Sequence, residues 1–420
     1  MRAAEAHLTR RLTVHEKDIL ISGASIAGPA LAFWLCRAGY RVTIVECAPA
    51  LRPGGQTVDL RGAGRTVVDR MGLLDAVRER RVHERGLAYV DERGRRVAEM
   101  SAEAFGGEGI VAEIEILRGD LAEVLYDATR SDVEYLFGDR IVGLDEDGDG
   151  VDVRFASGLR RRFALVVGAD GLHSGVRALA FGPESEYVRP LNMAMAFFTV
   201  PDRAVSDSVA GGWCTVHHVP GAVAELRPDR VAGQAKALLA THTTEPVHRL
   251  PRDRAQSLLR DALVDAGWRT PEILDAMDGA DDFYVEGIGQ VHMDSWARGR
   301  VVLLGDAAAC PSPLTGMGTT LALVGAYVLA GELVSRVDPV AAFAAYERVV
   351  RPYAVRMRKL PPGGTRGFAP TSCAWIAMGR ASMRWMTRWP LRLLAARIFA
   401  AADGIDLPAY DGLRSAAQLR

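Results

Sequence analysis

Residues 17–46, KDILISGASIAGPALAFWLCRAGYRVTIVE, contain the pattern that decides the fold. The apolar run at 18–22 predicts a short buried strand, and the run at 41–46 predicts a second strand. Between them, a glycine turn leads into a helix predicted over residues 29–38, because proline is tolerated in a first helical turn. A strand, a helix and a strand in this order indicate a βαβ unit and therefore a parallel sheet.

The composition excludes several classes of protein. The chain has 420 residues, of which 49% are hydrophobic and 25% charged, so we expect two or three globular units. A formal net charge of −1 provides no basic surface for nucleic acid or an anionic membrane, and we expect neither partner. Five scattered cysteines predict no disulfide framework and no metal site, which favours the cytoplasm. The N-terminus does not resemble a signal peptide, and the most apolar stretch, 321–334, is too short to span a membrane.

The glycine turn is typical of a dinucleotide site, where backbone N–H groups approach a pyrophosphate at a helix N-terminus. Ser25 occupies the middle glycine position of the usual motif. Glu46 ends the second strand, near the position expected for a carboxylate that accepts ribose hydroxyls. The alternative interpretation is that the glycine turn is an ordinary tight turn and that Glu46 is merely solvated. The turn residues expected to contact a nucleotide are Gly23, Ser25, Ile26, Ala27 and Gly28.

The rest of the chain is organised differently. Alternating apolar residues predict a β-meander over 140–167, and residues 187–231 are rich in strand patterns of a second, sheet-based unit. A helix is predicted at 256–266 and a buried strand at 300–304. Helices follow to the end, including an arginine-studded amphipathic stretch at 377–401.

Two later motifs point to a family. Residues 166–177 read VVGADGLHSGVR, and residues 299–308 read GRVVLLGDAA, followed by Pro311, Pro313, Gly316 and Gly318. With the N-terminal turn, they resemble the three fingerprints of the class A flavoprotein monooxygenases, which have the p-hydroxybenzoate hydroxylase fold. Residues 54–60, GGQTVDL, resemble the short members that hydroxylate polycyclic substrates, including the tetracycline-inactivating enzymes.

The resemblance implies an α/β fold in which a Rossmann-like FAD-binding domain is joined to a β-sheet substrate domain and C-terminal helices. It also implies tight, non-covalent FAD. The expected boundaries are 1–85, 105–180 and 285–360 for the FAD-binding domain, 86–104 and 181–284 for the substrate domain, and 361–420 for the C-terminal helical segment.

By the same resemblance, Asp306 binds a ribitol hydroxyl of FAD, and Asp170 lies near the pyrophosphate and the nicotinamide route. Ser174 and Arg177 are expected to hold the loop that contains Asp170. Arg118 is expected to contact FAD through its fixed guanidinium fork, with a surface role as the alternative. The segment expected to face the flavin pyrimidine ring with its backbone amides is Gly316, Met317 and Gly318.

The chain also departs from the family pattern. Ala309 stands where a histidine is common, Thr319 and Thr320 replace the usual asparagine, and Gly325–Ala326 replace a later Asp-Ala pair. These changes leave the backbone contacts in place but remove side-chain hydrogen bonds.

The resemblance implies that NADH or NADPH binds transiently and reduces FAD. The reduced flavin reacts with O₂ to form a C4a-hydroperoxyflavin, which oxygenates an aromatic or polycyclic, polyketide-like substrate. Because one scaffold supports several reactions, a flavin oxidase or reductase and a Baeyer–Villiger-type oxygenase stay open as alternatives. An NAD-dependent dehydrogenase and a non-catalytic flavin-binding protein are further alternatives. No oligomeric state is predicted.

A substrate phenol calls for a base in the pocket, and His217 and His218 on a predicted strand are the candidates. Successive strand side chains point to opposite faces, so only one of them can face the pocket. A structural histidine, or a substrate acidic enough to need no base, is the alternative. The apolar residues that could line the cavity are Met193, Met195, Phe197 and Trp213.

Overall fold

A computed structural model of the chain describes residues 17–105, 114–201, 205, 209, 211–386 and 404–413. Its strands are β1 (Asp18–Ser22), β2 (Arg41–Glu46), β3 (Thr57–Asp59), β4 (Arg81–Val82), β5 (Gly86–Val90), β6 (Arg96–Ser101), β7 (Glu115–Leu117), β8 (Val133–Phe137), β9 (Ile141–Glu146), β10 (Val151–Phe155), β11 (Arg160–Phe163), β12 (Leu165–Gly168), β13 (Val188–Val200), β14 (Trp213–Val219), β15 (Ala222–Pro228), β16 (Ala235–His242), β17 (Tyr284–Val291), β18 (Ala297–Arg298) and β19 (Val301–Leu303).

The described α-helices alternate with these strands in the first half and dominate the end of the chain. They are α1 (Ala27–Arg37), α2 (Gly62–Met71), α3 (Leu74–Glu79), α4 (Arg118–Asp127), α5 (Gly175–Ala180), α6 (Glu184–Tyr187), α7 (Arg252–Leu263), α8 (Thr270–Gly279), α9 (Asp306–Ala309), α10 (Gly318–Ser335), α11 (Pro339–Met357), α12 (Gly364–Phe368) and α13 (Cys373–Met386). Single turns of 3₁₀ helix lie at Ala102–Phe105, Val247–Arg249, Pro313–Thr315 and Asp411–Leu413.

The first sheet confirms the βαβ prediction. Six strands lie in the order β18-β19-β12-β1-β2-β8, and β1 pairs in parallel with both β12 and β2. β12 pairs in parallel with β19. The carboxyl ends of β19, β12 and β1 are therefore neighbours at one edge of the sheet, which is where ligands bind in parallel α/β sheets.

The core of this half is formed by α1 and α10 against the sheet. α10 is apolar on all sides and almost wholly buried, as expected for a helix with protein around it. It extends beyond the apolar stretch predicted at 321–334, and among the described helices it alone has the length and hydropathy to cross a membrane. Because 83% of that window is buried inside the protein, we assign it as a core helix.

The second large sheet has seven strands in the order β17-β13-β16-β15-β14-β5-β6. One face, the outer face, packs on α7 and α8 through residues such as Phe198 and Leu226. The other, the inner face, contains the apolar residues Met193, Met195 and Phe197. Alternation of side chains along each strand produces these two faces.

Several boundaries differ from the sequence predictions in detail. β17 pairs with β13 in the second sheet, so the predicted domain boundary at residue 285 falls just inside this strand. α7 begins at Arg252, directly after Pro251, rather than at residue 256. The meander predicted over 140–167 is confirmed up to residue 163 as the antiparallel sheet β11-β10-β9, whereas residues 165–167 belong to β12 of the first sheet. A further small sheet has the order β3-β7-β4.

The C-terminal residues 404–413 return to the first half and lie against α10. The hydroxyl of Tyr410 donates a hydrogen bond to Glu332 Oε1 at 2.7 Å, and the carbonyl oxygen of Pro408 accepts one from the Tyr327 hydroxyl at 2.9 Å. The amphipathic helix predicted at 377–401 is represented by α13, and residues 387–401 lie outside the described residues.

Contact between Tyr410 and α10 depends on Gly331. A Cβ atom at Gly331 would lie 2.1 Å from Tyr410 Cδ2, whereas a Cβ at Gly379 in α13 would meet nothing within 4 Å. We expect Gly331→Ala to lower the free energy of unfolding by about 1–3 kcal/mol through overpacking. The matched Gly379→Ala variant should gain up to about 1 kcal/mol from helix propensity. Urea unfolding followed by circular dichroism measures both, and equal effects would contradict this packing.

Candidate functional site

The three motifs meet at the carboxyl ends of β1, β12 and β19. A Cβ atom at Gly23 would lie 2.4 Å from the carbonyl oxygen of Ala169, which precedes Asp170. A Cβ at Gly305, which precedes Asp306, would lie 3.1 Å from Ala27 Cβ. The glycine turn therefore contacts both later motifs, although they are far apart in the chain.

The glycine turn itself has no room for larger residues. Gly23 has a φ of +108°, and a Cβ at Gly28 would lie 2.0 Å from the Gly23 carbonyl oxygen. The N-cap residue of α1, Ile26, provides no side-chain hydrogen bond to the first turn. The first N–H groups of α1 are therefore available to an anion, which the helix dipole also favours.

Glu46 and Arg118 lie on either side of this turn. Glu46 Oε2 accepts a hydrogen bond from the Ala24 N–H at 2.9 Å, and Oε1 accepts one from the Ala48 N–H at 2.9 Å. A carboxylate oxygen has about two lone-pair sites, so Glu46 Oε2 can also accept a ribose hydroxyl. Arg118 Nη1 donates to Ser25 Oγ at 2.7 Å, which holds the guanidinium at the turn.

Asp306 contains an unpaired buried atom. Its Oδ1 is inaccessible and has no hydrogen-bond partner within the described residues, and a Cβ at Gly318 would lie 3.5 Å from it. Burial raises the pKa of Asp306, while Cys310 and Arg118 act in the opposite direction. Beside it, the N-cap residue of α10, Met317, provides no side-chain cap to the helix. An acceptor and a set of free N–H donors therefore lie together at the positions predicted from the third motif.

Asp170 is already engaged within the protein. It accepts hydrogen bonds from the Ser174 hydroxyl and from the Val176 N–H, the latter at 3.1 Å. Burial raises the pKa of Asp170 although these hydrogen bonds lower it. Arg177 is fully buried and donates to the carbonyl oxygens of Ala307 (3.0 Å) and Leu172 (2.5 Å). Asp170, Ser174 and Arg177 thus join the second motif to the third.

His173, in the same loop, was not singled out from the sequence. Its Nδ1 lies 2.8 Å from Glu184 Oε2 and its Nε2 lies 2.9 Å from Glu286 Oε1, and its ring stacks on His248. Burial opposes protonation, but the hydrogen bonds to Glu286 and Glu184 outweigh it and raise the pKa of His173. The imidazole ring connects the second motif with β17 of the seven-stranded sheet.

The two candidate bases lie on opposite faces of β14, as alternation requires. His217 lies on the outer face near Trp268, and its Nδ1 is 3.2 Å from the carbonyl oxygen of Val90. This places His217 on the side of the sheet that packs on α7 and α8, away from the inner face.

His218 lies on the inner face, but its Nε2 is 3.2 Å from the carbonyl oxygen of Phe368. Burial lowers the pKa of His218 to about 4, so its imidazole is neutral and a weak base at neutral pH. The geometry supports a structural role for both histidines, in which His218 holds the chain that leads from α12 to α13.

The apolar residues predicted to line the cavity are also distributed over both faces of the sheet. Met193, Met195 and Phe197 lie in the inner cluster, and Leu314, from the loop before α10, packs against that cluster. Trp213 points to the other side of the strand, and its ring lies under the Arg96 guanidinium. The apolar inner face therefore borders the segment that leads to the N-terminus of α10.

A charged group on this inner face was also missed. Glu225 and Arg227 are two residues apart in β15, and both point to the inner side, since Leu226 between them packs in the outer cluster. The sequence signal that could have revealed this group is the spacing of Glu225 and Arg227, which places two charged residues on one face of an otherwise apolar strand.

These residues fit a dinucleotide flavin. The crowded turn admits a pyrophosphate but no side chain, Glu46 has acceptor capacity for the ribose, and Asp306 Oδ1 lacks the donor that a ribitol hydroxyl would supply. The uncapped first turn of α10 suits the negative charge that builds up on a reduced flavin.

Comparison with known proteins also indicates an FAD-binding protein. Residues 16–357 match the FAD binding domain family. An uncharacterized protein of Mycobacterium tuberculosis is 43% identical over 357 residues, which cover 84% of this chain and 95% of that protein. A flavin-dependent monooxygenase of an unknown prokaryotic organism is 37% identical over 340 residues, with 81% and 87% covered. The crystal structure of a tetracycline destructase superposes with a TM-score of 0.78 at 32% identity, covering 95% of this chain and 100% of that one.

The unpaired oxygen of Asp306 predicts opposite effects on the apoprotein and on FAD binding. In Asp306→Asn, we expect the apoprotein to gain about 1–3 kcal/mol, because an uncharged amide costs less to bury than a carboxylate with an unpaired oxygen. FAD should bind about 10- to 100-fold more weakly, because a hydrogen bond to a charged group contributes about 1.5–3 kcal/mol. Urea unfolding of the apoprotein and flavin fluorescence titration measure the two effects. The control is Asp294→Asn, at an exposed aspartate, which should change neither.

The raised pKa of His173 predicts a pH-dependent part of the stability. A histidine whose folded-state pKa lies above its unfolded value stabilises the protein fully at pH below the unfolded pKa of about 6.5. That contribution is lost as the pH rises through the folded-state value. We expect His173→Gln to destabilise the holoenzyme at pH 6 by about 1 kcal/mol or less, and to have a smaller effect at pH 9. Urea unfolding at both pH values tests this, with exposed His83→Gln as the control; equal loss at both would contradict it.

Proposed function

The chain belongs to the family of FAD-dependent monooxygenases, and from this premise we propose that it hydroxylates an aromatic or polycyclic small molecule, with NAD(P)H and O₂ as co-substrates. The observation that supports the proposal best is the apolar inner face beside the N-terminus of α10. Met195 and Phe197 are buried there, and Leu314 joins them to the loop that precedes the helix. An aromatic ring system would find an apolar wall on the side of the flavin site.

When bound, FAD supplies the redox chemistry, which passes electrons from a reduced nicotinamide to O₂. The protein supplies binding, charge stabilisation and exclusion of water. The free N–H groups at the start of α10 would stabilise negative charge on the flavin pyrimidine ring. Arg118, held by Ser25, would bind the cofactor from the opposite side of the turn. The apolar inner face would keep water from the reacting atoms.

Two features support a polycyclic phenol as the substrate class. The structural relative at 32% identity is a tetracycline destructase, an enzyme named for a polycyclic compound. In addition, the weak basicity of His218 and the outward position of His217 leave neither histidine suited to deprotonate a substrate. We therefore propose that the substrate contributes its own acidic phenol.

We further propose that the nicotinamide binds transiently and that the enzyme works in the cytoplasm. A second complete nucleotide fingerprint is absent from the sequence, which favours brief contact with the reductant. The five cysteines are all free, as expected in a reducing compartment.

The proposed reaction predicts where oxygen from O₂ goes. With a panel of polycyclic phenols and ¹⁸O₂, we expect substrate to accelerate NAD(P)H oxidation strongly and one labelled atom to enter a hydroxylated product. Stopped-flow flavin reduction coupled to mass spectrometry measures both. Label only in peroxide and water across the panel would support an oxidase. A labelled ring ester that hydrolyses would support a Baeyer–Villiger-type reaction.

A pair of buried methionines provides a matched control for the substrate wall. Met195 lies on the inner face and Met277 lies in the outer cluster. Both substitutions to alanine should lower stability by about 2–5 kcal/mol. Only Met195→Ala should also raise the KM for the polycyclic substrate, and an unchanged KM would argue against this wall.

A further inference from the structure

The charged group on β15 lies at a junction between the two halves of the protein. Arg227 Nε donates to Glu225 Oε1 on the same strand. Its Nη1 donates to Glu115 Oε2 at 3.1 Å and to Glu84 Oε1 at 3.4 Å. Glu115 belongs to β7 and Glu84 follows β4, so these contacts join the small sheet to the inner face.

The guanidinium is the accessible member of this group. The side chains of Glu84, Glu115 and Glu225 are 1%, 2% and 4% exposed, whereas that of Arg227 is 25% exposed. Within the described residues, Arg227 Nη2 has no hydrogen-bond partner. Because Arg227 lies on the inner face, its free donors point to the space on the substrate side of the sheet.

The carboxyl groups outnumber the guanidinium. Burial raises the pKa of Glu115 well above its usual value, and the neighbouring charges of Glu84 and Asp59 raise it further. Burial also raises the pKa of Glu84, although Arg227 opposes this. The three carboxyl groups around the one guanidinium therefore leave no excess positive charge for an incoming anion.

A second cation on the inner face, Lys236, also lies beside more than one carboxylate. Lys236, opposite Arg227 on β16, lies 3.4 Å from Asp229 Oδ2 and 3.6 Å from Asp282 Oδ2. Both cations of this region thus have more than one carboxylate partner. An anionic substituent placed here would lose its hydration and find no unneutralised cation in exchange.

The group also lies close to the cofactor side. Asp59, which pairs with Glu115 across β3 and β7, lies against the loop before α10, since a Cβ at Gly316 would be 3.0 Å from Asp59 Oδ2. Arg227 is thus within reach of a ring bound between the inner face and the flavin.

We propose that Arg227 determines substrate specificity by donating a hydrogen bond to an uncharged phenol or carbonyl oxygen. We also propose that its three glutamate partners, which leave the guanidinium without excess positive charge, disfavour aromatic substrates with a carboxylate at this position. The inference rests on the proposed function for the location of the substrate. Arg227 would touch the substrate, whereas Glu225 would act as a positioning residue that fixes the guanidinium and balances its charge.

Three dihydroxyanthraquinones that differ in one substituent test the charge preference. They are aloe-emodin, with a hydroxymethyl group, rhein, with a carboxylate, and the corresponding aminomethyl compound. Equilibrium dialysis against the oxidised holoenzyme, with bound probe measured by mass spectrometry, gives each Kd. We expect the hydroxymethyl and aminomethyl probes to bind about tenfold or more tightly than rhein. Equal or tighter binding of rhein would overturn the inference.

Substitutions distinguish the proposed role of Arg227 and Glu225 in substrate specificity from a purely structural role. Glu225→Gln, which removes one negative charge with little change of shape, should reduce the discrimination against rhein severalfold. Arg227→Gln should weaken aloe-emodin about tenfold, and Arg227→Lys should restore part of the loss. Glu99→Gln, at an exposed glutamate of β6 in the same sheet, should leave all three Kd values unchanged. If Glu225→Gln discriminates against rhein as strongly as the wild type, Glu225 does not balance the charge of Arg227 as we propose.

The outcome is independent of the hydroxylation assay because dialysis uses oxidised enzyme without reductant. A protein that oxygenates phenols but does not discriminate among the probes would overturn the specificity inference alone. Discrimination without oxygen transfer would overturn the proposed reaction alone. A wild-type protein that binds none of the three probes would contradict the pocket on which both depend.

Discussion

The close contact of backbone atoms between Gly28 and Gly23 is the constraint on which the site depends. A Cβ at Gly28 would lie only 2.0 Å from the Gly23 carbonyl oxygen, so α1 can begin where it does only because this residue has no side chain. The same turn lies against the carbonyl of Ala169, and its residue Ala27 lies against Gly305. Because these approaches are mutual, the position of α1 also determines where the second and third motifs stand. A cofactor that enters the turn therefore meets all three at once.

Local pattern explains why much of this half could be predicted from the sequence. A strand, a glycine turn, a helix and a strand within residues 17–46 form contacts that are mostly close in the chain, and the parallel pairing of β1 with β2 follows from them. The carboxylates Glu46, Asp170 and Asp306 could be found because each follows a buried strand, where a polar residue ends an apolar run. What could not be derived was their partners. Asp170 is occupied by Ser174 and Val176, whereas Asp306 has an oxygen left for a ligand.

The remaining features depend on pairing between distant segments, which periodicity does not encode. β17 joins the seven-stranded sheet by pairing with β13, across almost a hundred residues, and no local signal distinguishes that sheet from the first. The histidines illustrate the same limit. Alternation correctly assigns His217 and His218 to opposite faces, but the carbonyl of Phe368, which occupies His218 Nε2, comes from a segment 150 residues away. His218, although histidine is a common catalytic residue, therefore contacts the chain before α13 and stabilises its position.

The short segment β7–α4 links the two sides of the site. Glu115 points to the inner face and contacts Arg227, and three residues later Arg118 donates to Ser25 in the glycine turn. Gly119, the next residue, is held against Gly54 by a backbone hydrogen bond of 2.8 Å. In this segment, β7 is paired on both edges, by β3 and by β4. On the proposed function, the segment that contacts Arg227 on the substrate side also contains Arg118 on the cofactor side. This arrangement suits an enzyme that must avoid reducing O₂ before its substrate is in place.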